Sequence, residues 1–394
     1  MSQSAIVQAI ASFGPISRAS VAKLTGLSKQ TVSEIVGNLE NEGWIRTVGQ
    51  TEGHIGRRAV VYEICPEAAT VASVDLGGTK VRVVLCDLLG RVLSERVDPT
   101  ERTGGLNIVE QLARMVRTAN ECQTKPCGSL RIAVIGVPGV PDIKTGAVSM
   151  APNIAGFDEI DLPGELSDRL GIEVLVENDV NLAALGEHWM GNYRDEDDLV
   201  YVSVGTGIGA GIVMDGRLLR GVSGAAGEVG FLPFGADPFE PESLKVGALE
   251  RASATESITR LYTAAAGETT DVPSIFDAAN AGKPEAVETL NAVAREIARA
   301  CVSIAAIVDP SLIVVGGSIG ARQELLSRVR DFAAKCHPRK LNIDGSQLGA
   351  HAALAGGASI ALSHLHISLF AEGQKGAEIH VPSPSLEEFK AGVL

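Results

Sequence analysis

Six cysteines, at positions 65, 86, 122, 127, 301 and 336, are scattered through 394 residues without regular spacing. The one close pair, Cys122 and Cys127, has no histidine or further cysteine beside it, so neither a disulfide-stapled fold nor a cysteine-built metal centre is indicated. No apolar run approaches the roughly 20 residues needed to span a bilayer, and the opening Met-Ser-Gln-Ser has no basic-then-apolar leader. The expectation is a soluble cytoplasmic protein with free thiols. Positive charge is also short, with 34 Lys and Arg against 48 Asp and Glu and a net charge of -14, a balance that argues against nucleic acid as a partner. The deficit is uneven, however. Residues 1–64 carry a net +1 and the remainder -15, so the acidity belongs to the C-terminal part and leaves a small DNA-binding head open.

What is present is organised around glycine. Residues 71–80, Val-Ala-Ser-Val-Asp-Leu-Gly-Gly-Thr-Lys, read as an apolar strand entering a glycine turn, with a second strand at 81–86. Gly77 and Gly78 clear the side chains that would hold a backbone away from a phosphate. Thr79 and Lys80 follow in the turn, and Asp75 offers a carboxylate able to orient hydrated magnesium. Taken alone, this motif suits an ordinary hairpin equally well. Residues 199–220 repeat the same grammar, with Gly205, Thr206, Gly207 and Gly209 in the loop and Asp215-Gly216-Arg217 turning into a third strand. Two such hairpins suggest two similar lobes, each directing backbone amides at phosphates in a cleft between them.

Ahead of them, Ile6, Val7, Ile10 and Phe13 have helical spacing, and Gly14-Pro15 ends that helix. A short helix follows to the turn residue Gly26. Ser28 then caps a third helix whose apolar face is Val32, Ile35, Val36 and Leu39. Ser28, Lys29, Gln30, Thr31, Ser33 and Asn38 supply polar groups of the kind that read base edges in a major groove. Strands at 44–48 and 59–64 flank a glycine-rich loop carrying Arg57 and Arg58, as expected of a wing on the phosphate backbone. The order helix, helix, helix, wing is a winged helix-turn-helix; a helical docking domain with a charged loop is the alternative.

Between and after the hairpins, apolar strands deliver polar groups at their C-terminal ends, where ligands bind in α/β sheets. Residues 172–179 end in Glu177-Asn178-Asp179, and Asp179 is suited to act as general base for phosphoryl transfer to a hydroxyl or, equally, to cap the helix that follows. Gly316 and Gly317, between a strand and a helix, can let an adenine or ribose lie on the backbone, though packing alone also calls for such a pair.

Asp75-Leu-Gly-Gly-Thr-Lys80, Gly136-Val-Pro-Gly139, Glu177-Asn-Asp179 with Asn181-Leu-Ala-Ala-Leu-Gly-Glu187, Gly205-Thr-Gly-Ile-Gly209, Ala226-Gly-Glu228 and Gly316-Gly317 together resemble the ROK family of repressors and sugar kinases over almost the whole chain. The resemblance implies an α/β, two-lobed actin-like fold of the sugar-kinase type behind the winged helix-turn-helix, with domains at 1–66, 67–190 and 191–394. It also implies a sugar pocket of Asn153, Asn178, Asp179, Glu228 and Glu250, in which Asp179 is the catalytic base if kinase chemistry is retained. Asp179 and Glu228 are expected on different lobes. Many members hold zinc through a histidine and three cysteines; here Phe231, Pro241, Ser243 and Ala248 stand at those positions, so no metal is expected.

The functional expectation is a sugar-responsive DNA-binding regulator, a homodimer or homotetramer that requires no cofactor. The alternative is a sugar kinase using ATP and magnesium with an appended head. A scaffolding role of the actin type leaves the head unexplained. Replacing Arg57 and Arg58 with Ala is expected to weaken operator binding and flatten its salt dependence, since each lost phosphate contact removes about 0.9 from the log-log slope. An unchanged slope in anisotropy titrations at several salt concentrations refutes the wing.

Overall fold

The computed structural model describes residues 2–50, 59–121, 127–142, 147–149, 156–157, 160–193, 196–370 and 382–391. Packing divides the chain into two units: residues 1–136, 161–176 and 357–394 form the first, and 137–160 with 177–356 the second. The chain therefore passes between the units at 136, 160, 176 and 356, whereas the lobes were expected to meet at 190.

The first unit opens with three helices, Ser2–Phe13, Arg18–Thr25 and Lys29–Asn41, and a small sheet ordered Ile16–Ser17, Val60–Ile64, Ile45–Gln50. Ile6, Val7, Ile10, Val21, Val32, Val36 and Leu39 are buried together with Ile45, Tyr62 and Ile64, so most of the helical spacing read from the sequence is the core of this head; Ile35 is half-buried, and Phe13, at the helix end, is exposed. Serines begin both later helices. Ser17 accepts a hydrogen bond from the Ser20 backbone and Ser28 one from the Thr31 backbone, contacts worth about 1 kcal/mol each. The strand Ile16–Ser17 was not anticipated: two residues carry no periodicity and are strand only because they pair with Tyr62 and Val61.

Each unit then builds a five-stranded sheet with the same order. In the first the strands run Glu173–Asn178, Leu130–Val137, Thr70–Leu76, Lys80–Asp87, Val92–Pro99; in the second Ile343–Gly345, Leu312–Gly316, Leu199–Val204, Ile208–Met214, Arg217–Leu218. Each central strand pairs antiparallel with its hairpin partner and parallel with the strand on its other side. The central strands are apolar on both faces because both faces are covered: Val71, Ala72, Val74 and Leu76 are buried, as are Val200, Val202 and Val204. In the second unit Ile297 and Cys301 of the helix Pro284–Val308 and Leu326 of the helix Gln323–Cys336 share one core with those strands.

One segment is more apolar than the sequence reading allowed. Residues Gly349–Phe370 are long and apolar enough to cross a membrane by length and composition. Small residues, serines and three histidines interrupt its run, yet Leu354, Ala358 and Leu362 of the helix Ala352–Phe370 are fully buried, as in a core helix.

That helix also buries His366 completely. Neither ring nitrogen finds a hydrogen-bond partner of good geometry, and burial pushes its pKa from 6.5 down to about 4, with the Leu88 backbone opposing. Between those pH values the unfolded chain takes up a proton that the folded chain refuses, so this group's contribution is intact above pH 6.5 and lost as pH falls towards 4. The loss reaches about 3 kcal/mol at about 1.4 kcal/mol per pKa unit. Asp75, whose pKa burial raises to about 6, works in the opposite sense, so the parent must be compared with a variant: in urea melts the stability of His366→Leu relative to the parent should rise by about 3 kcal/mol as pH falls from 6.5 to 4, and parallel curves would refute the assignment.

Candidate functional site

In the head, the helix Lys29–Asn41 exposes Lys29, Gln30 and Ser33, while Ser28 and Thr31 are bonded to each other through their hydroxyls (2.8 Å) at the cap. Arg18, not singled out by sequence, reaches this face. Its guanidinium donates to Ser33 Oγ (3.2 Å), lies 3.7 Å from Glu40 and stands 5.0 Å over the Tyr62 ring. It opens the preceding helix, and only the crossing of the two helices brings it here. Arg57 and Arg58 lie outside the described residues.

The second unit collects the carboxylates. Glu173–Asn178 runs straight into the helix Asp179–Met190, and the cap is Asn178: its Oδ1 accepts from the Val180 and Asn181 backbones, both 2.9 Å, and its Nδ2 donates to the Gly139 carbonyl at 2.9 Å. Asp179 thus stands in the first turn, half-buried, where the positive end of the helix favours a carboxylate. Below it Glu177 is buried and accepts from Arg220 Nε (2.7 Å), Asn181 Nδ2 (3.0 Å) and the Asn178 backbone (3.0 Å).

The strand Ile208–Met214 lies against this helix so closely that a Cβ on Gly211 would come within 2.6 Å of the Val180 carbonyl. At its start the Ile208 backbone donates to Glu250 Oε2 (2.9 Å), and two residues on Ala210 N donates to the Gly227 carbonyl (2.8 Å), which brings Glu228 to the same end. Burial raises the pKa of both Glu228 and Glu250, and the Glu228 charge raises Glu250 further. Both oxygens of each carboxyl are acceptors suited to sugar hydroxyls. Asn178, Asp179, Glu228 and Glu250 all belong to the second unit. The expectation that Asp179 and Glu228 occupy different lobes is corrected: packing on the strand Ile208–Met214 assigns the helix Asp179–Met190 to the unit that carries Glu228. Asn153 lies outside the described residues.

The glycine loops are tightly tied. In the first, Gly77 N donates to the Lys80 carbonyl (3.0 Å), Thr100 Oγ1 donates to the Gly77 carbonyl (2.6 Å), and Gly78, Thr79 and Lys80 are exposed. Behind them burial pushes Asp75 up to about 6, against the pull of Arg82, 3.7 Å away. In the second, the Gly205 carbonyl accepts from Thr255 N (2.9 Å) and Oγ1 (2.7 Å), Thr206 is exposed at the tip, and Gly207 faces Glu250, whose Oε2 would lie 2.7 Å from a Cβ there. Gly209 packs on Val180, the neighbour of Asp179. Packing suffices to require the pair Gly316 and Gly317, since Cβ atoms would lie 2.0 Å from the Tyr201 hydroxyl and 2.4 Å from the Val204 carbonyl.

Around Phe231, Pro241, Ser243 and Ala248 the loop is closed by polar contacts. Ser243 Oγ donates to the Asp237 carbonyl (2.6 Å) and accepts from Arg251 (2.6 Å), which also pairs with Glu240 (2.7 Å). Among the described residues no group of three or more His, Cys, Asp or Glu is placed to hold a metal ion.

Comparison with known proteins places these features in context. A model described as the ROK family matches residues 71–364, and one described as the MarR family matches residues 1–54. The N-acetylglucosamine repressor of Escherichia coli O6:H1 is 27% identical over 372 residues, 90% of each chain. A ROK hexokinase from Thermus thermophilus is 31% identical, covering 76% of this chain and 99% of its own, with a TM-score of 0.62. A ROK family transcriptional regulator, described as a homologue of the E. coli MLC protein, shares the fold over 94% of this chain and 97% of its own, at 24% identity and a TM-score of 0.77.

The geometry around Glu177 predicts a stability effect. Its side chain is 9% exposed and the cation paired with it, Arg220, is 41% exposed, so Arg220→Ala should cost about 1–3 kcal/mol, less than a fully buried pair because the arginine is partly solvated. Adding Glu177→Gln should recover part of the loss in urea denaturation; strictly additive losses would show that the pair is not coupled.

Proposed function

The chain belongs to the ROK family, and from that premise we propose that it is a sugar-responsive DNA-binding transcriptional repressor of carbohydrate-metabolism genes, working in the cytoplasm as a homodimer or homotetramer. The observation that carries this reading is the presence in one chain of a capped helix exposing Lys29, Gln30 and Ser33 and of Glu228 and Glu250 at the start of the strand Ile208–Met214, on which Val180, the neighbour of Asp179, packs at Gly209 and Gly211. The head reads an operator, two half-sites per dimer. Asn178, Asp179, Glu228 and Glu250 hold the hydroxyls of a sugar. Occupancy changes operator affinity, and by linkage the operator changes sugar affinity by the same factor. No cofactor is required for this.

A second reading is an ATP-dependent sugar kinase. It is favoured by one observation: Asp179 stands half-buried in the first turn of the helix capped by Asn178, its Oδ1 accepting from the Val180 backbone (2.9 Å), a place from which a carboxylate can accept a hydroxyl proton. The exposed loops around Thr79 and Thr206 would then meet phosphates, and Asp75 would orient magnesium.

Operator binding measured by anisotropy with D-glucose, D-xylose or N-acetyl-D-glucosamine, beside ATP turnover with the same sugars, separates the two. The expected result is a sugar-dependent shift in DNA affinity without matching turnover; turnover with no effect on DNA affinity overturns the repressor reading. Asp179→Asn and Glu228→Gln should each weaken sugar binding by about tenfold or more, as for a lost charged hydrogen bond, and erase the sugar's effect on DNA while leaving sugar-free operator affinity nearly intact. If both variants respond like the parent, the effector site lies elsewhere.

A further inference from the structure

The helix Ala352–Phe370 belongs by its first turn to the second unit and by the rest to the first. In the second unit its first turn meets the helix Asp179–Met190 backbone to backbone. A Cβ on Gly186 would lie 2.0 Å from the Ala352 carbonyl, and one on Gly356 would lie 1.9 Å from the Leu182 carbonyl. A contact with no side chain between the two backbones has no soft layer to absorb a displacement. The next residue, Gly357, is as close to Ser73 Oγ in the first unit, where a Cβ would lie 2.1 Å away. Two adjacent glycines cost a helix about 1 kcal/mol each relative to alanine, and only these approaches account for them.

At its other end the same helix touches the head. The buried Phe370 meets the Trp44 ring edge-on at 5.7 Å, and His366 stacks edge-on against Phe370 at 5.7 Å. Such pairs add about 0.5–1.5 kcal/mol beyond area burial. Trp44 is the first residue after the turn that closes the helix Lys29–Asn41: its backbone donates to the Leu39 carbonyl (2.9 Å), and its carbonyl accepts from Cys65 N (2.8 Å). Trp44 is thus bonded both to the helix that exposes Gln30 and Ser33 and to the segment leaving the head.

We propose that the helix Ala352–Phe370 is a lever, with Phe370 and Trp44 as positioning residues, that carries the state of the Asp179 helix to the DNA-reading helix. Deepening the repressor reading on which it rests, this assigns the path by which a sugar held at Asn178 and Asp179 changes operator affinity. A helix of 19 residues is about 28 Å long at about 1.5 Å per residue, and its backbone hydrogen bonds make it stiff enough to move as one piece. The ligand's differential contacts at one end then bias the seat of Trp44 at the other.

The test replaces the ligand with a steric push. The chain has two tryptophans, so in a Trp189→Phe background Trp44 alone emits. Gly186→Ala, by forcing the two helices apart, should shift the emission of Trp44, and adding Phe370→Leu should remove that response. An emission spectrum unchanged by Gly186→Ala, or a shift that survives Phe370→Leu, overturns the lever. Should Gly186→Ala not fold, hydrogen exchange of Phe370→Leu decides: exchange across residues 29–45 should be several-fold faster while the sheet strands keep their protection, and unaltered exchange overturns the proposal. Neither readout uses sugar or DNA, so its failure leaves the repressor reading standing, and a failed operator titration leaves this one standing.

Discussion

A buried carboxylate orders the region on which the proposed sugar chemistry depends. A carboxyl as buried as that of Glu177 needs donors for its oxygens, and of the three found there the Asn178 backbone and Asn181 lie within four residues of it while Arg220 comes from beyond a hairpin. Satisfying Glu177 therefore fixes the end of a strand, the start of a helix and the residue beyond a hairpin at once. With that junction set, Asn178 caps the helix and also bonds the Gly139 carbonyl, and Asp179 is left in the first turn.

The other two carboxyls are handled differently. Glu228 and Glu250 have little cationic compensation; burial raises the pKa of each, and Glu228 adds to the shift at Glu250. Glu250 is steadied instead by the Ile208 backbone, and the loop between the two glutamates is closed by Arg251, Ser243 and Glu240. One part of the site is therefore a carboxyl group matched by donors and the other a pair of carboxyls whose pKa burial raises. A polyhydroxyl ligand, whose hydroxyls can donate to the oxygens of that pair, fits them better than a simple anion would.

The two sheets have the same strand order, yet packing does not divide the chain into two successive halves. The helix Asp179–Met190 follows a strand of the first sheet but packs on the hairpin of the second at Gly211, and the helix Ala352–Phe370 leaves the second unit for the first after its opening turn. A repeated hairpin is a local pattern and is visible in order along the chain. The unit to which a connecting helix belongs depends on which backbone it can approach, and that is decided by glycines on its partner.

The residues alone determined the glycine hairpins, the capped helices and polar reading face of the head, the apolar strands ending in polar groups and the family, because each rests on local periodicity or a short contiguous motif. Tertiary structure alone decided that Asn178 and not Asp179 caps its helix, that Asp179, Glu228 and Glu250 share one unit, and that Arg18 reaches Ser33. It also decided that the two- and three-residue strands Ile16–Ser17 and Ile343–Gly345 exist and that Phe370 meets Trp44. Those facts are contacts between residues far apart in sequence, and whether such a contact forms is set by close packing and by the need to satisfy buried polar groups, neither of which leaves a period or a spacing to read.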